Sequence, residues 1–399
     1  MKRIVTIFSI MAALLLFVAC GGSKPAEGEQ KKDDGQQTAQ KDAGKKVAIV
    51  YSTGGKGDKS FNDAAFRGLE RAKKELGITF DEYEPKDPAT EAKDALTKFA
   101  ETGEYDLIIS VGFTMKDSLL AVAQQFPDQK FAIIDEKIEN VPNVASLSFK
   151  EHEGSFLVGA LAAMMSKTGT IGFVGGMESP LIQKFQSGYI QGAKYVNPNI
   201  KILSVYIGGN NAWNDPASAK TKTETLIQQK ADVVYHAAGA SGQGVFQATK
   251  EKNVYAIGVD SNQDGIAPGT ILTSMMKYVD NAVFNEIKDT LEGKYQPIIQ
   301  EFGIKEDGVG TTEFEFTKDK ILLKDINFKE NIEKNIDTYD CNESLKNDFQ
   351  KGYSDKKPKM NLFVEIKDFD DYSEDKVSFL ISEIQNDYNE FECRGYLYG

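Results

Sequence analysis

The segment Thr53-Gly54-Gly55-Lys56-Gly57-Asp58-Lys59-Ser60 sets glycines, lysines and a hydroxyl between an apolar run and a helical pattern. That order suggests a phosphate loop, whose backbone amides cradle an anion. Such a loop needs a glycine immediately before its Lys-Ser pair. Asp58 holds that place here, and its carboxylate would repel phosphate. A local role fits better. The glycines permit tight turns, and Ser60 with Asp63 has the capping spacing that starts a helix. Phe61 and Asn62 follow at the mouth of this loop, where an aromatic face and an amide could meet a ligand. Phe61 could equally staple the helix N-terminus.

Further candidates recur after apolar runs. Asp135 follows Phe131-Ala132-Ile133-Ile134, where a carboxylate could accept hydrogen bonds from a ligand's N–H groups or cap the next turn. The loop Gly208–Pro216 carries Trp213, the sole tryptophan, as a lid or a stacking surface. Ala237–Gly244 is a run of small residues that lets backbone, Gly239 included, approach a ligand. Asp260 heads another polar loop, and Lys277 ends Ser274-Met275-Met276-Lys277. These groups supply acceptors, donors and two flat faces. No nucleophile–base–orienter set accompanies them, so no catalytic residue and no cofactor is assigned. His152 and His236 are the two histidines, and no His/Cys cluster has metal-site spacing.

The elements that must position these residues alternate regularly. Val47–Tyr51 reads as a strand buried on both faces. A helix from Phe61 repeats apolar residues at Ala65, Phe66, Leu69, Ala72 and Leu76. Strand-like runs follow at 107–111, 131–134, 170–174, 200–207, 233–236, 254–259 and 271–275. Helical patterns fill 117–125, 154–165, 184–196, 217–229 and 244–251. Such alternation predicts an α/β fold of parallel sheets covered on both faces. The strand count suits two doubly wound lobes better than one wide sheet. Residues 45–320 are the two-lobed domain, with the first lobe mainly 45–150, the second mainly 151–272, and the chain crossing back near 273–300. Ligands of open α/β sheets sit beyond the carboxyl ends of the strands, so two lobes with those ends facing inward predict an interlobe cleft that a hinge can close.

The chain ends set an address. Lys2 and Arg3 precede an apolar stretch to Ala19, too short for a comfortable permanent span and suited to a signal peptide over 1–19. It runs into Val18-Ala19-Cys20, followed by small residues, which resembles a bacterial lipobox with Cys20 acylated. Phe17 stands where such sites more often have Leu. Two acyl chains suffice for stable anchoring. Residues 20–44 are polar and read as a flexible tether. The formal net charge of −13 argues against nucleic acid. Cys341 and Cys393, which could pair in an oxidising compartment, fall in residues 321–399, an extension rich in Asp, Glu, Lys, Asn and Tyr to which no role is assigned.

The runs Gly57-Asp58-Lys59-Ser60-Phe61-Asn62-Asp63, Phe131–Asp135, Trp213-Asn214-Asp215-Pro216, Gly258-Val259-Asp260 and Leu272–Lys277 resemble the basic membrane protein family of lipoproteins. That family comprises purine-nucleoside-binding components of ABC-type importers. The resemblance extends from Lys46 to about Thr317, and the Asp-Lys-Ser-Phe-Asn-Asp run is its most specific part. It implies a type I periplasmic-binding-protein fold, lipid-anchored on the extracytoplasmic side of the cell membrane, that delivers a purine nucleoside to an ABC permease. Phe61 and Trp213 would sandwich the base, with Trp213 standing where Phe is common. Asp135 would accept from the purine N–H edge, Asp260 and Lys277 would hold the ribose hydroxyls, and Gly239 would offer backbone. Alternatives are a receptor of the same fold for a sugar or other small polar solute, an extracytoplasmic nucleoside hydrolase and a surface adhesin.

Overall fold

The computed structural model describes residues 45–318 and 320. The expectations for the signal stretch, Cys20, the tether and the 321–399 extension lie outside these residues.

In chain order the strands are β1 (Lys46–Val50), β2 (Thr79–Tyr83), β3 (Leu107–Val111), β4 (Phe131–Ile134), β5 (Val144–Phe149), β6 (Thr170–Gly175), β7 (Lys201–Tyr206), β8 (Val233–Ala237), β9 (Tyr255–Asp260), β10 (Ile271–Lys277), β11 (Ile299–Phe302) and β12 (Val309–Thr311). The helices are α1 (Phe61–Leu76), α2 (Pro88–Thr102), α3 (Lys116–Gln125), α4 (Glu151–Met165), α5 (Pro180–Val196), α6 (Pro216–Gln228), α7 (Gly242–Lys252) and α8 (Val279–Leu291). One six-stranded sheet runs β11-β5-β4-β3-β1-β2 and the other β12-β10-β9-β8-β6-β7. Every pairing is parallel except β10 with β12. These are the two doubly wound α/β units of a type I periplasmic-binding-protein fold.

Local physics explains the elements. The central strands β1, β3 and β4 are β-branched or apolar along their length because both faces are covered; Val47, Ile49, Ile108, Ile109 and Ile133 are fully buried. β2 is different. It lies at the sheet edge and its residues Thr-Phe-Asp-Glu-Tyr are mostly exposed, so it lacks the apolar signature. α1 packs Ala65, Leu69 and Ala72 inward and ends at Gly77, whose φ of 71° forms a left-handed cap. α4 is buried nearly all round because it packs on α5 and against β10 and β12. The two helices touch closely: a Cβ on Gly188 would lie 2.2 Å from the carbonyl oxygen of His152.

The chain passes between the sheets three times. It leaves β5 for α4, returns from β10 to α8, which packs on α1, and passes from β11 to β12. Hydrogen bonds stitch the crossings together: Lys150 N–H to Phe302 O (2.9 Å), Tyr278 N–H to Gly308 O (2.9 Å), and Ile304 N–H to a Glu153 carboxylate oxygen (2.7 Å). These short crossings are where one unit can rotate on the other.

Candidate ligand-binding site

The carboxyl ends of strands from both sheets border one cavity of about 550 Å³ of empty space, mouth included. All eight residues singled out in the sequence line it: Asp58, Phe61, Asn62, Asp135, Trp213, Gly239, Asp260 and Lys277. The first unit contributes the loop after β1 and the ends of β3 and β4. The second contributes the start of α5, the loop after β7 and the ends of β8, β9 and β10.

The loop after β1 holds its shape through carboxylates. Asp58, only 3% exposed, accepts from the backbone N–H groups of Ser60 (2.8 Å), Asn62 (2.9 Å) and Asp63 (3.1 Å), and from Asn62 Nδ2 (3.0 Å). Burial lifts its pKa to about 6 against the pull of these donors. Asp58 is therefore the helix cap. Ser60, expected to cap α1, makes no such bond; its Oγ donates instead to Asp260 Oδ2 at 2.5 Å. The capping spacing was present, but a carboxylate two residues upstream reaches the same donors. Asp63 accepts from Gly57 N–H (2.7 Å) and Lys59 N–H (2.9 Å). Asn62 is likewise committed within the protein, its Oδ1 accepting from Ser52 N–H at 3.0 Å. What this brace leaves toward the cavity is the partly buried ring of Phe61.

Three non-glycine residues at the cleft have left-handed backbones: Lys59 (φ 55°), Asp135 (φ 68°) and Asp260 (φ 64°). Such conformations cost of order 1–3 kcal/mol each and persist where the surroundings over-determine them. For the two aspartates, the turn directs the chain away immediately after β4 and at the end of β9.

A buried charge cluster joins these strand ends. Lys277 Nζ lies 2.6 Å from each Asp135 carboxylate oxygen and 3.1 Å from Glu151 Oε1. Its ammonium also sits 5.0 Å from the ring centroids of Phe61 and Phe149 and 5.5 Å from that of Phe185. Burial alone would lower the Lys277 pKa, yet Asp135, Glu151 and Asp260 raise it above the ordinary lysine value. Burial pushes Asp135 up, with Lys277 pulling it down and Glu151 adding to the rise. Asp260 is also raised by burial, partly offset by Lys277 and Ser60.

Trp213 lines the same cavity from the second lobe. A buried hydroxyl clamps its loop: Ser241 Oγ donates to Ala212 O (2.9 Å) and accepts from Asp215 N–H (2.7 Å). The indole packs over Gly176, where a Cβ would lie 2.5 Å from a ring carbon. Gly239, with φ 55°, lies beside it.

Several contributors were absent from the sequence reading. Leu181, Ile182 and Phe185 form an apolar wall, because α5 begins at Pro180 rather than near Lys184. Ser179 Oγ accepts from Ile182 N–H at 3.3 Å, and the Ser-Pro pair was the available signal. α4 similarly begins at Glu151. Glu151 and Lys184 had no local signal, since their partners are distant in sequence. His236 is fully buried and its Nε2 pairs with Gln263 Oε1 at 3.2 Å. Among the described residues no group of three or more His, Cys, Asp or Glu side chains could hold a metal ion. The arrangement offers flat rings for stacking and groups that accept and donate hydrogen bonds.

The profile of the Bmp family, described as ABC transporter substrate-binding protein PnrA-like, matches residues 45–344. The chain belongs to the Bmp family. The matched range continues past residue 320 into the stretch for which no relationship was expected. A protein of Pyrococcus abyssi described as an uncharacterized lipoprotein is 36% identical over 350 residues, covering 82% of this chain and 83% of its own. The ABC transporter nucleoside-binding protein BmpA of Lactococcus lactis subsp. cremoris is 33% identical over 334 residues, 77% of this chain and 90% of that one. The crystal structure of an ABC transporter solute-binding protein from Aeropyrum pernix K1 matches with a TM-score of 0.64 at 30% identity, covering 87% of this chain and 99% of that one. As a Bmp-family member the protein is a substrate-binding component of an ABC transporter, not an enzyme; it binds a solute and works with a permease.

Proposed function

We propose that this Bmp-family protein captures purine nucleosides between its two lobes and delivers them to an ABC-type importer. On this reading the chain is anchored through acylated Cys20 on the extracytoplasmic face of the membrane, with residues 20–44 as tether. The observation that carries the ligand class is that two aromatic residues, Phe61 from the first lobe and Trp213 from the second, line one cavity together with Asp135. Base–aromatic stacking contributes roughly 1–3 kcal/mol per base, and a carboxylate at the base edge selects for N–H donors. Asp260 and Lys277 supply polar contacts for a ribose. The nucleoside-binding name of the Lactococcus lactis relative agrees, as do the lipoprotein relatives with the anchor.

Calorimetric titration of soluble protein beginning at Gly21 with guanosine, inosine, adenosine, cytidine and ribose tests the reading. Purine nucleosides should bind well ahead of cytidine and ribose. Equal or tighter binding of ribose would replace it with a sugar receptor of the same fold. Radiolabelled palmitate incorporated into the wild type and lost in Cys20→Ala checks the anchor.

A further inference from the structure

We propose that Glu151 is a positioning residue of this cleft: it receives the Lys277 ammonium when a ligand engages Asp135, and so carries capture to the chain crossing where α4 begins. The inference rests on the reading that Asp135 accepts from the ligand.

Glu151 is fully buried, and its two oxygens are treated unequally. Oε2 accepts from Lys184 Nζ at 3.2 Å, and the same ammonium donates to Phe149 O at 3.2 Å. Oε1 lies 3.1 Å from Lys277 Nζ but accepts no hydrogen bond of good geometry. A buried carboxylate oxygen without a well-formed bond is costly. Here it is a second seat for an ammonium that now straddles Asp135. The remaining near surroundings of that ammonium include the faces of Phe61, Phe149 and Phe185, which tolerate a cation in either seat.

A ligand N–H that bonds Asp135 must share the carboxylate with Lys277. Movement of the ammonium toward Glu151 makes room while keeping the buried charge compensated. Each partner sits at a crossing. Lys277 ends β10, immediately before α8. Glu151 begins α4, immediately after Lys150, whose N–H bonds Phe302 O at the end of β11. The Lys277–Glu151 contact thus joins two crossings, and the backbone bond joins the third. A carboxylate in the first turn of α4 suits the helix dipole, and its full burial is matched by two ammonium groups, Lys184 on Oε2 and Lys277 beside Oε1.

The full chain is tested as a double-mutant cycle of Glu151→Gln and Lys277→Met, with guanosine and inosine affinities measured by calorimetry. Glu151→Gln is expected to weaken binding about tenfold on its own and to add nothing in the Lys277→Met background. An undiminished loss in that background would mean a merely structural role and overturn the proposal. A second readout needs no nucleoside. The Asp135 carboxyl, observed by carbon NMR, is faced by Lys277 of β10, Glu151 of α4 and Asp260 of β9. Glu151→Gln should move its titration midpoint to lower pH, because Lys277 is then held by Asp135 alone. An unmoved midpoint overturns the proposal. Failure of wild type to bind any nucleoside removes the functional reading, while the Asp135 titration still decides the role of Glu151. Should Glu151→Gln not fold, the same cycle with Glu151→Asp decides it, since its smaller loss must also vanish with Lys277→Met.

Discussion

The two faces of the cleft are built on opposite plans. On the first-sheet face, Asp58, Asn62 and Asp63 direct their side-chain bonds into their own loop and helix start. On the second-sheet face, Trp213 rides on a turn held largely by Ser241, above a glycine and beside Leu181, Ile182 and Phe185. The first face fixes shape with hydrogen bonds, and the second offers apolar area. The difference separates carboxylates that look alike in sequence. Asp58 is bound to backbone and cannot be released without losing the loop. Asp135 is bound to a side chain that can exchange one partner for another.

If this division is right, Asp58→Ala has the largest effect and falls on stability. Four donors lose a buried acceptor, so thermal unfolding should drop by about 3–5 kcal/mol, roughly 10 °C. Trp213→Ala should do the reverse. Affinity for purine nucleosides falls by about 1–3 kcal/mol, roughly 5- to 150-fold, while the melting temperature moves by less than a few degrees. A Trp213→Ala protein as unstable as Asp58→Ala would break the comparison. Gly176→Ala sharpens it further. The new methyl meets the indole at 2.5 Å, so the ring must tilt, and calorimetry should read a loss of about 1 kcal/mol in affinity.

The last effect lies away from the cleft and should leave binding untouched. Glu286 of α8 is 3% exposed, and burial lifts its pKa from 4.5 to about 7, against the pull of the hydrogen bond that Gln300 Nε2 donates. A raised carboxyl contributes stability below its unfolded value and loses it as pH rises through the folded one. Glu286→Gln should therefore be more stable than wild type at pH 8 by on the order of 1–3 kcal/mol, with the advantage gone near pH 4. Denaturant titrations at the two pH values check the sign, and ligand affinity should not change.

Legibility in the sequence followed burial. Val47–Val50, Leu107–Val111 and Phe131–Ile134 were readable because a strand covered on both faces must be apolar throughout. β2 was not, since an edge strand with exposed Asp and Glu has no such constraint. The eight candidate residues line one cavity because each lies at a strand end or in the loop or helix start that follows, and strand ends converge in this topology. Their division of work was hidden. Ser60 fitted the capping pattern as well as Asp58 does the capping. Glu151 is an ordinary acid until folding brings Lys277 and Lys184 against it.

The chain contains one tryptophan, and it is the ring seated over Gly176 on the cleft wall. Excited in the ultraviolet, the folded protein therefore emits indole light from a single address. No background from a second indole dilutes that signal. A solute that replaces water against the ring, or a rotation that brings Phe61 nearer, alters the colour and yield of that emission directly. The protein carries its own optical gauge of occupancy, readable in a stopped-flow cell without a label.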